Sequence, residues 1–559
     1  MSTTPDDIKE EVEHIEKDEH SHGVRVNWDQ LKEEAQRAIE AEQTMSPLEA
    51  LKRYPMAVFW SWVISLAVLM EGFDTNLIGS LFALPAFAKA YGSYSDVSNT
   101  YTLSAPWQSG ISQASTIGTF IGIIMNGYLI DRFGYKRTLL TMLVFITGFI
   151  AIPTFAPNPA TLLVGELLCG IPWGVFCTLA PAYASEVAPV QLRGYLTAYV
   201  NLCFVIGHFL ALGVLNGVET WTSQWAYRVP FCLQWMWPVP IFIVVCFAPE
   251  SPWYLVRKNR LEEAEVMLRR LSKNSPINPR DAVAMMVRTN QLEIDQTQGT
   301  RWIDCLKGAD LRRTEVSCVA WTIQVFCGLP FLSWDVYFFE QGSSGLNPSN
   351  AFKVGLAVEG ISFIGVFLSW VFLTWIGRRT IYIGGQVAMV LLMLLVGFLQ
   401  IATDSGSKNS NWGQGAMLML LCLVYNGTIG PLAYCIAAET SSTRLRNRTI
   451  ALARNSYNII SIVFGIATPY MLNPNEGNWK GFTGFWWAGI GLIFTAWSYY
   501  RLPECKGRTY WELDILFERR VSARKFRETV VEPNADDELH GGHQDMVITL
   551  GEDANEKTV

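Results

Sequence analysis

A chain of 559 residues with 50% hydrophobic and only 17% charged residues is too apolar for a water-soluble enzyme of its length, and it reads as a protein that crosses a membrane many times. The formal net charge of −7 owes much to acidic, polar ends such as "DDIKEEVEHIEKDEH" and "EPNADDELHGG". These lack the apolar content to fold alone and exclude a basic, nucleic-acid-binding role.

Residues 1–54 are predicted to form a disordered cytosolic tail. No charged start, short apolar core and cleavage site precede Met56, so no removable secretory signal is expected. A helix needs roughly 20 apolar residues to cross the hydrocarbon core. Twelve such runs follow in order, near 56–86, 107–130, 138–156, 161–184, 195–217, 228–248, 315–340, 351–376, 380–402, 414–437, 450–472 and 482–502. The first contains "LMEGFDTNLIGSL", whose Glu71 and Asp74 are three apart and share a helical face. An ionisable group deep in a membrane costs at least about 2.5–3.5 kcal/mol, so such acids are functional candidates by default. If both face a dry cavity, mutual repulsion and lost hydration favour uptake of a proton. Other charges inside the runs are Glu166 in the fourth, Asp335 and Glu340 in the seventh, Glu359 in the eighth and Arg454 in the eleventh. The third and fourth runs meet at "FAPNPA", where the prolines favour a tight turn.

Between the sixth and seventh runs, 249–314 includes "RLEEAEVMLRRL", whose apolar residues recur at helical spacing beneath charge. It is predicted as amphipathic helices under the bundle. Short loops on one side carry Arg132, Arg137, Arg193, Arg378, Arg379 and Arg444, so by the positive-inside bias that side is cytosolic. An even number of spans then places both ends in the cytosol. The cysteines show neither a disulfide framework nor clustered zinc-ligand spacing.

The two sets of six runs echo each other. "SEVAPVQLRG" after the fourth matches "AETSSTRLRN" after the tenth, and "PESPWYLVRKNRLEEA" after the sixth matches "PECKGRTYWELDILFE" after the twelfth. "GYLIDRFGYKRT" and "WIGRRT" form a third pair. Duplicated halves suit alternating access, the halves rocking about a central site. Gly134 is expected to turn cationic side chains back towards Asp131. Glu186, Glu250, Glu439 and Glu504 are expected to join the arginines in latches that hold helix ends together in one state.

Those loop motifs together resemble the sugar porters of the major facilitator superfamily over roughly residues 50–520. Within that group, "GIPWGVF", "PAYASEVAPVQLRGYLTAYVNLCFVIGHFLALGVLNG" and "WDVYFFEQGSSG" are similar to fungal maltose and other α-glucoside permeases. The resemblance implies a proton-coupled symporter of the plasma membrane. It also implies that Asp74 is the coupling aspartate. Glu166 stands where the family's fourth helix has arginine, which leaves Arg454 as the candidate counter-cation. In the sugar pocket, Asn201 and His208 stand in the fifth helix where monosaccharide porters have glutamines. Gln324 matches the first glutamine of the seventh-helix pattern, Ser362 the eighth-helix asparagine and Tyr434 the usual tryptophan. With Trp334, Tyr337 and Asn458 they offer hydroxyl-binding groups and aromatic faces for a pyranose.

The expectation is therefore an all-α membrane protein with twelve transmembrane helices in two six-helix pseudo-repeats, the major facilitator fold. Its units are a tail (1–54), a first bundle (55–248), a cytosolic linker (249–314), a second bundle (315–502) and a cytosolic end (503–559). The expected activity is proton-coupled uptake of maltose-like disaccharides. The alternatives are a transporter for a hexose or β-linked disaccharide, or a non-transporting sugar sensor. No nucleophile elbow, phosphate-binding loop or metal motif points to an enzyme. No cofactor beyond the proton gradient is expected. The partners are a small-molecule sugar, a proton and the lipid bilayer, with no nucleic acid and a monomer as transport unit.

Overall fold

The computed structural model describes residues 37, 45, 47–95, 100–272, 278–297, 301–338, 348–405, 408–442, 445–506 and 510–529. Twelve long helical rods dominate it. The first set is α1 (Pro55–Leu81), α2 (Ala105–Phe133), α3 (Tyr135–Thr154), α4 (Pro159–Val187), α5 (Val190–Val218) and α6 (Trp225–Val245). The second is α7 (Gly308–Tyr337), α8 (Pro348–Trp375), α9 (Arg378–Asp404), α10 (Lys408–Thr440), α11 (Arg446–Leu472) and α12 (Thr483–Arg501). By length and composition, nine of these qualify as membrane spans among the described residues. Of the others, α5 has a shorter apolar stretch, Leu202–Val218, among the described residues.

Helices α2 and α4 approach until their backbones touch. A Cβ on Gly118 would stand 2.2 Å from the Leu167 carbonyl oxygen, and one on Gly122 2.1 Å from that of Ile171. Gly170 and Gly174 answer them from α4, at 2.3 Å from Ser115 and 2.1 Å from Thr119. Both helices thus carry small residues four apart on the contact face, a spacing that lets transmembrane helices pack without the hydrophobic effect. Helix α4 opens on Asn158, whose side chain accepts the Thr161 N–H at 2.8 Å, with Pro159 in the first turn.

Three expectations about the spans need correcting. The first rod stops at Leu81 instead of running to residue 86; a turn follows and a separate helix, Pro85–Tyr91, starts at its proline. The seventh breaks at Gly328, which adopts the left-handed φ of 96° open to glycine, before short turns at Leu329–Leu332 and Asp335–Tyr337. The tenth contains a π-helical turn, Tyr425–Ile429. Beyond α1, strands Ser93–Ser95 and Thr100–Thr102 pair antiparallel in a ribbon that the hydropathy pattern did not reveal. The linker contains helices Pro252–Arg257, Leu261–Leu271 and Pro279–Thr297, with Ala264 and Leu271 buried against the first set. These features mark two ends of the bundle, a ribbon end and a linker end.

At the linker end the paired loops make matching contacts. Glu250 accepts the backbone N–H of Tyr135 (2.9 Å) and Lys136 (3.2 Å), capping α3. Glu504 does the same for α9 through Arg378 (2.9 Å) and Arg379 (3.2 Å). Glu186 accepts from Arg257 and Tyr135, each at 2.8 Å, and from Ser251, while Glu439 accepts from Arg378 at 3.2 Å. Burial pushes the Glu250 carboxyl above its ordinary range, as it does Glu439, although Arg378 opposes the latter shift. The Gly134 turn does not fold cations onto Asp131. Asp131 is exposed with no ion pair among the described residues, Arg132 reaches Tyr128, and Lys136 reaches the Cys246 carbonyl. The acid that meets this loop comes from the end of α6, which sequence proximity cannot reveal. Arg137 is exposed, Arg379 donates to the Tyr499 carbonyl at 2.7 Å, Arg444 lies outside the described residues, and so does the Arg193 side chain.

Candidate functional site

The site is organised by six residues of α1, "EGFDTN". Successive helical residues are turned by about 100°, so Glu71, Asp74 and Asn76 leave the helix in different directions. Each meets a different neighbour.

Asp74, 2% exposed, points into the first set. Its Oδ1 accepts from Gln234 Nε2 of α6 at 2.6 Å and its Oδ2 from the Trp173 indole of α4 at 3.2 Å. Trp173 is carried by "GIPWG", so the glycine contact between α2 and α4 also fixes the indole. The fully buried Glu166 adjoins Asp74, and neither of its oxygens has a donor among the described residues. Two carboxyls can bond only when a proton lies between them, and the pair has one place for it.

Glu71 is 7% exposed, and one of its oxygens has no partner among the described residues. It faces Arg454 of α11 across the interface between the sets, without an ion pair within 4.0 Å. Arg454 instead lies over the rings of Trp321 (5.1 Å) and Tyr457 (5.3 Å). The two acids of α1 therefore have separate surroundings, and the carboxyl against Asp74 is Glu166.

Asn76 donates to Glu359 of α8 at 3.0 Å, and His208 Nδ1 of α5 lies 3.5 Å from the same oxygen. The buried Asp335 is close enough to feel Glu359, and its Oδ1 accepts the Val336 N–H at 2.7 Å.

The remaining pocket candidates divide between two regions. Gln324 accepts from the Tyr425 hydroxyl at 3.0 Å, and Tyr434, half exposed, packs edge-on against Trp321 at 4.4 Å. Asn458 stands one turn beyond Arg454 on the same face of α11, buried, and its amide nitrogen has no partner among the described residues. Gln324, Tyr434, Arg454 and Asn458 therefore belong to one wall, formed by α7, α10 and α11. Trp334 and Tyr337 lie in the closed ribbon end: Trp334 stacks on Phe82 at 5.2 Å, and the Tyr337 hydroxyl accepts from Gln108 at 3.2 Å. Ser362 is buried and donates to the Val358 carbonyl. The Asn201 side chain lies outside the described residues. Sequence reading missed Trp173, Gln234, Asn76 and Trp321. A lone glutamine in "FCLQWMWP" was the one available hint.

The hydrogen bonds described between the two sets all lie towards the ribbon end. Besides the Asn76 and Gln108 bonds, Asn473 donates to Leu103 O (3.1 Å) and Gln108 Oε1 (3.3 Å), Asn475 to Thr102 (3.2 Å) and Ser109 to Ile466 O (3.0 Å). At the linker end the bonds described for α1–α6 and α7–α12 stay within each set.

Two six-helix sets meeting around buried ionisable groups, closed at one end, define a multi-pass membrane transporter of the major facilitator fold. The family model described as "Sugar (and other) transporter" matches residues 60–517, and the chain belongs to that family. It is 37% identical over 515 residues to maltose permease MAL31 of Saccharomyces cerevisiae, covering 91% of this chain and 83% of the relative. It is 36% identical over 523 residues to the general alpha-glucoside permease of the same yeast, covering 92% and 84%. Among solved structures, the inward-open xylose transporter XylE of E. coli superposes with a TM-score of 0.66 at 19% identity, covering 82% of this chain and 99% of that one. The proton:xylose symporter XylE bound to 6-bromo-6-deoxy-D-glucose gives 0.65 at 20% identity, covering 83% and 99%. At that identity the likeness establishes the fold.

Proposed function

We propose that the protein imports α-glucosides of the maltose class together with protons, by alternating access across the plasma membrane. The observation that carries the coupling is the dry contact of Asp74 with Glu166, beside a Glu71 that faces Arg454 across the interface. A proton held between Asp74 and Glu166 removes one buried negative charge. With it bound, the first set can close over the site at a lower desolvation cost; its loss to the other side completes the cycle. The substrate class rests on the relatives' printed names and on the wall of Gln324, Tyr434 and Asn458, whose amides and ring suit a sugar.

In this reading the linker end is cytosolic, since the arginine-rich loops gather there, and both chain ends share that side. The halves are 55–248 and 315–502, flanked by the cytosolic segments 1–54, 249–314 and 503–559, and the transport unit is a monomer. The closed ribbon end then makes this an inward-facing state. The deciding experiment measures sugar-dependent proton uptake in cells lacking endogenous transporters, across mono- and disaccharides. Uptake of protons with maltose and other α-glucosides is expected. A response to hexoses or β-linked disaccharides alone moves the assignment to another sugar, and no uptake by a surface-expressed protein favours a sensor.

A further inference from the structure

A cavity of about 370 Å³ opens at the linker end, away from the transport site. Its walls are the first turns of α7, the last turn of α12 and the turn at residues 520–523 that follows the C-terminal helix Tyr510–Glu518. Arg312, Arg501 and Arg520 all line it, against the single carboxylate of Glu315. That carboxylate is already engaged by Arg501 and by the Trp497 indole. Arg312 is held by packing: its guanidinium lies 5.4 Å from the Phe517 ring and 5.7 Å from Phe526, and one nitrogen donates to the Val521 carbonyl at 2.7 Å. Its Nε is buried with no partner among the described residues. Arg520 is exposed and makes no described ion pair. Three guanidiniums facing one occupied carboxylate leave an excess of positive charge, and the planar donors match phosphate oxygens.

The surroundings indicate where the anion comes from. Leu311, Tyr499 and Tyr500 are exposed at 48%, 48% and 60% on the outside of the same helix ends. Apolar and tyrosine side chains exposed at the end of a spanning helix belong to the water–lipid boundary. A basic cavity between helix ends at that level fits an anionic headgroup. We propose that this cleft binds the phosphate monoester of an anionic phospholipid headgroup in the adjoining leaflet. Arg312 and Arg520 hold the phosphate while the acyl chains lie along Leu311 and Tyr500.

The test uses the full-length protein in detergent, titrated with short-chain fluorescent phosphatidylinositol 4-phosphate. Arg520→Gln and Arg312→Gln should each weaken binding by at least about fivefold. Arg520→Lys, which keeps the charge and loses the planar fork, should fall between. Arg269→Gln, in the exposed linker, should change nothing, and short-chain phosphatidylcholine should not compete. Two further competitors distinguish the sources of the phosphate. Competition by glycerophosphoinositol 4-phosphate or inorganic phosphate as strong as by the lipid assigns the cleft to a free phosphate ester; competition by the lipid alone assigns it to the bilayer. Unchanged binding in both glutamine variants, or equal binding of phosphatidylcholine, overturns the proposal. Because Arg520 is exposed, its variant remains informative even if Arg312→Gln fails to fold.

Discussion

At the scale of single residues, the acid pair is the feature most open to attack. Asp74→Asn keeps the shape and an acceptor for one of the two donors, Gln234 or Trp173, turns its NH2 towards the other, and cannot exchange a proton. The variant should reach the surface, lose sugar-driven proton uptake and uphill accumulation, and keep exchange of sugar down its gradient. Maltose accumulated against its gradient by this variant would move coupling elsewhere. Glu359 tests a different role. It is the one carboxylate that Asn76 and His208 share, so Glu359→Ala leaves two groups from the first set without their acceptor. Both groups are part-buried, so the lost bonds cost about 0.5–1.5 kcal/mol, which should appear as slowed transport with proton coupling retained.

At the scale of elements, what the sequence made legible and what it hid follow from different physics. Length and apolarity of a run decide whether it can cross a bilayer, so all twelve rods could be located from one dimension. Gly328 and the π turn at Tyr425–Ile429 were not visible, because irregular backbone within a membrane survives only where the tertiary structure satisfies it. Glu71 and Asp74 were conspicuous as charges in an apolar run. Trp173 and Gln234 were not, since an indole and an amide in a span look like packing until it is known which helix faces Asp74. The glycines of α2 and α4 are of this kind too. A side chain at Gly122 collides with the Ile171 carbonyl and pushes the two helices apart, withdrawing Trp173 from Asp74. Gly122→Leu should therefore be retained inside the cell or lose most thermal stability in detergent, while Gly127→Leu, with open space around its Cβ position, should behave as wild type.

Two acids at the linker end, the Glu250 cap and the Arg378 partner Glu439, add a pH dependence at the same scale. Burial raises the carboxyls of Glu250 and Glu439 above the ordinary value of 4.5. A raised acid binds its proton more tightly in the folded than in the unfolded chain. Its contribution is complete below the unfolded value and is lost as pH rises through the folded one. Melting temperature in detergent should thus fall from pH 5 towards pH 7, and Glu250→Gln, which cannot ionise, should flatten that slope. A melting curve of wild type that rises over this range, or an unchanged slope in the variant, contradicts the assignment.

At the scale of the whole molecule, the transporter must open the end that is closed here, and the polar contacts between the sets set the cost of doing so. Gln108 and Asn473 are fully buried, and Asn473 bonds both to Gln108 and to the Leu103 carbonyl, while Gln108 extends the chain to Tyr337. In the opposite state these amides part and meet water, so the closed state alone benefits from the bonds. Asn473→Ala removes two of them and leaves a buried carbonyl and an amide oxygen without donors. At about 1–3 kcal/mol for groups so stranded, the equilibrium should move roughly five- to a hundredfold towards the state open at the ribbon end. A cysteine at Gln113, one turn further along α2 and against Gly465 of α11, reports this directly. In a background without other reactive thiols, an impermeant maleimide added from the ribbon side should label Gln113→Cys faster when Asn473→Ala is present. Saturating sugar should reduce the difference, because bound sugar favours closure. Maximal uptake should fall, since a transporter held open on one side returns slowly. Equal labelling rates with and without the substitution would mean that packing around Phe82 and Trp334, and not the amide chain, holds the ribbon end shut.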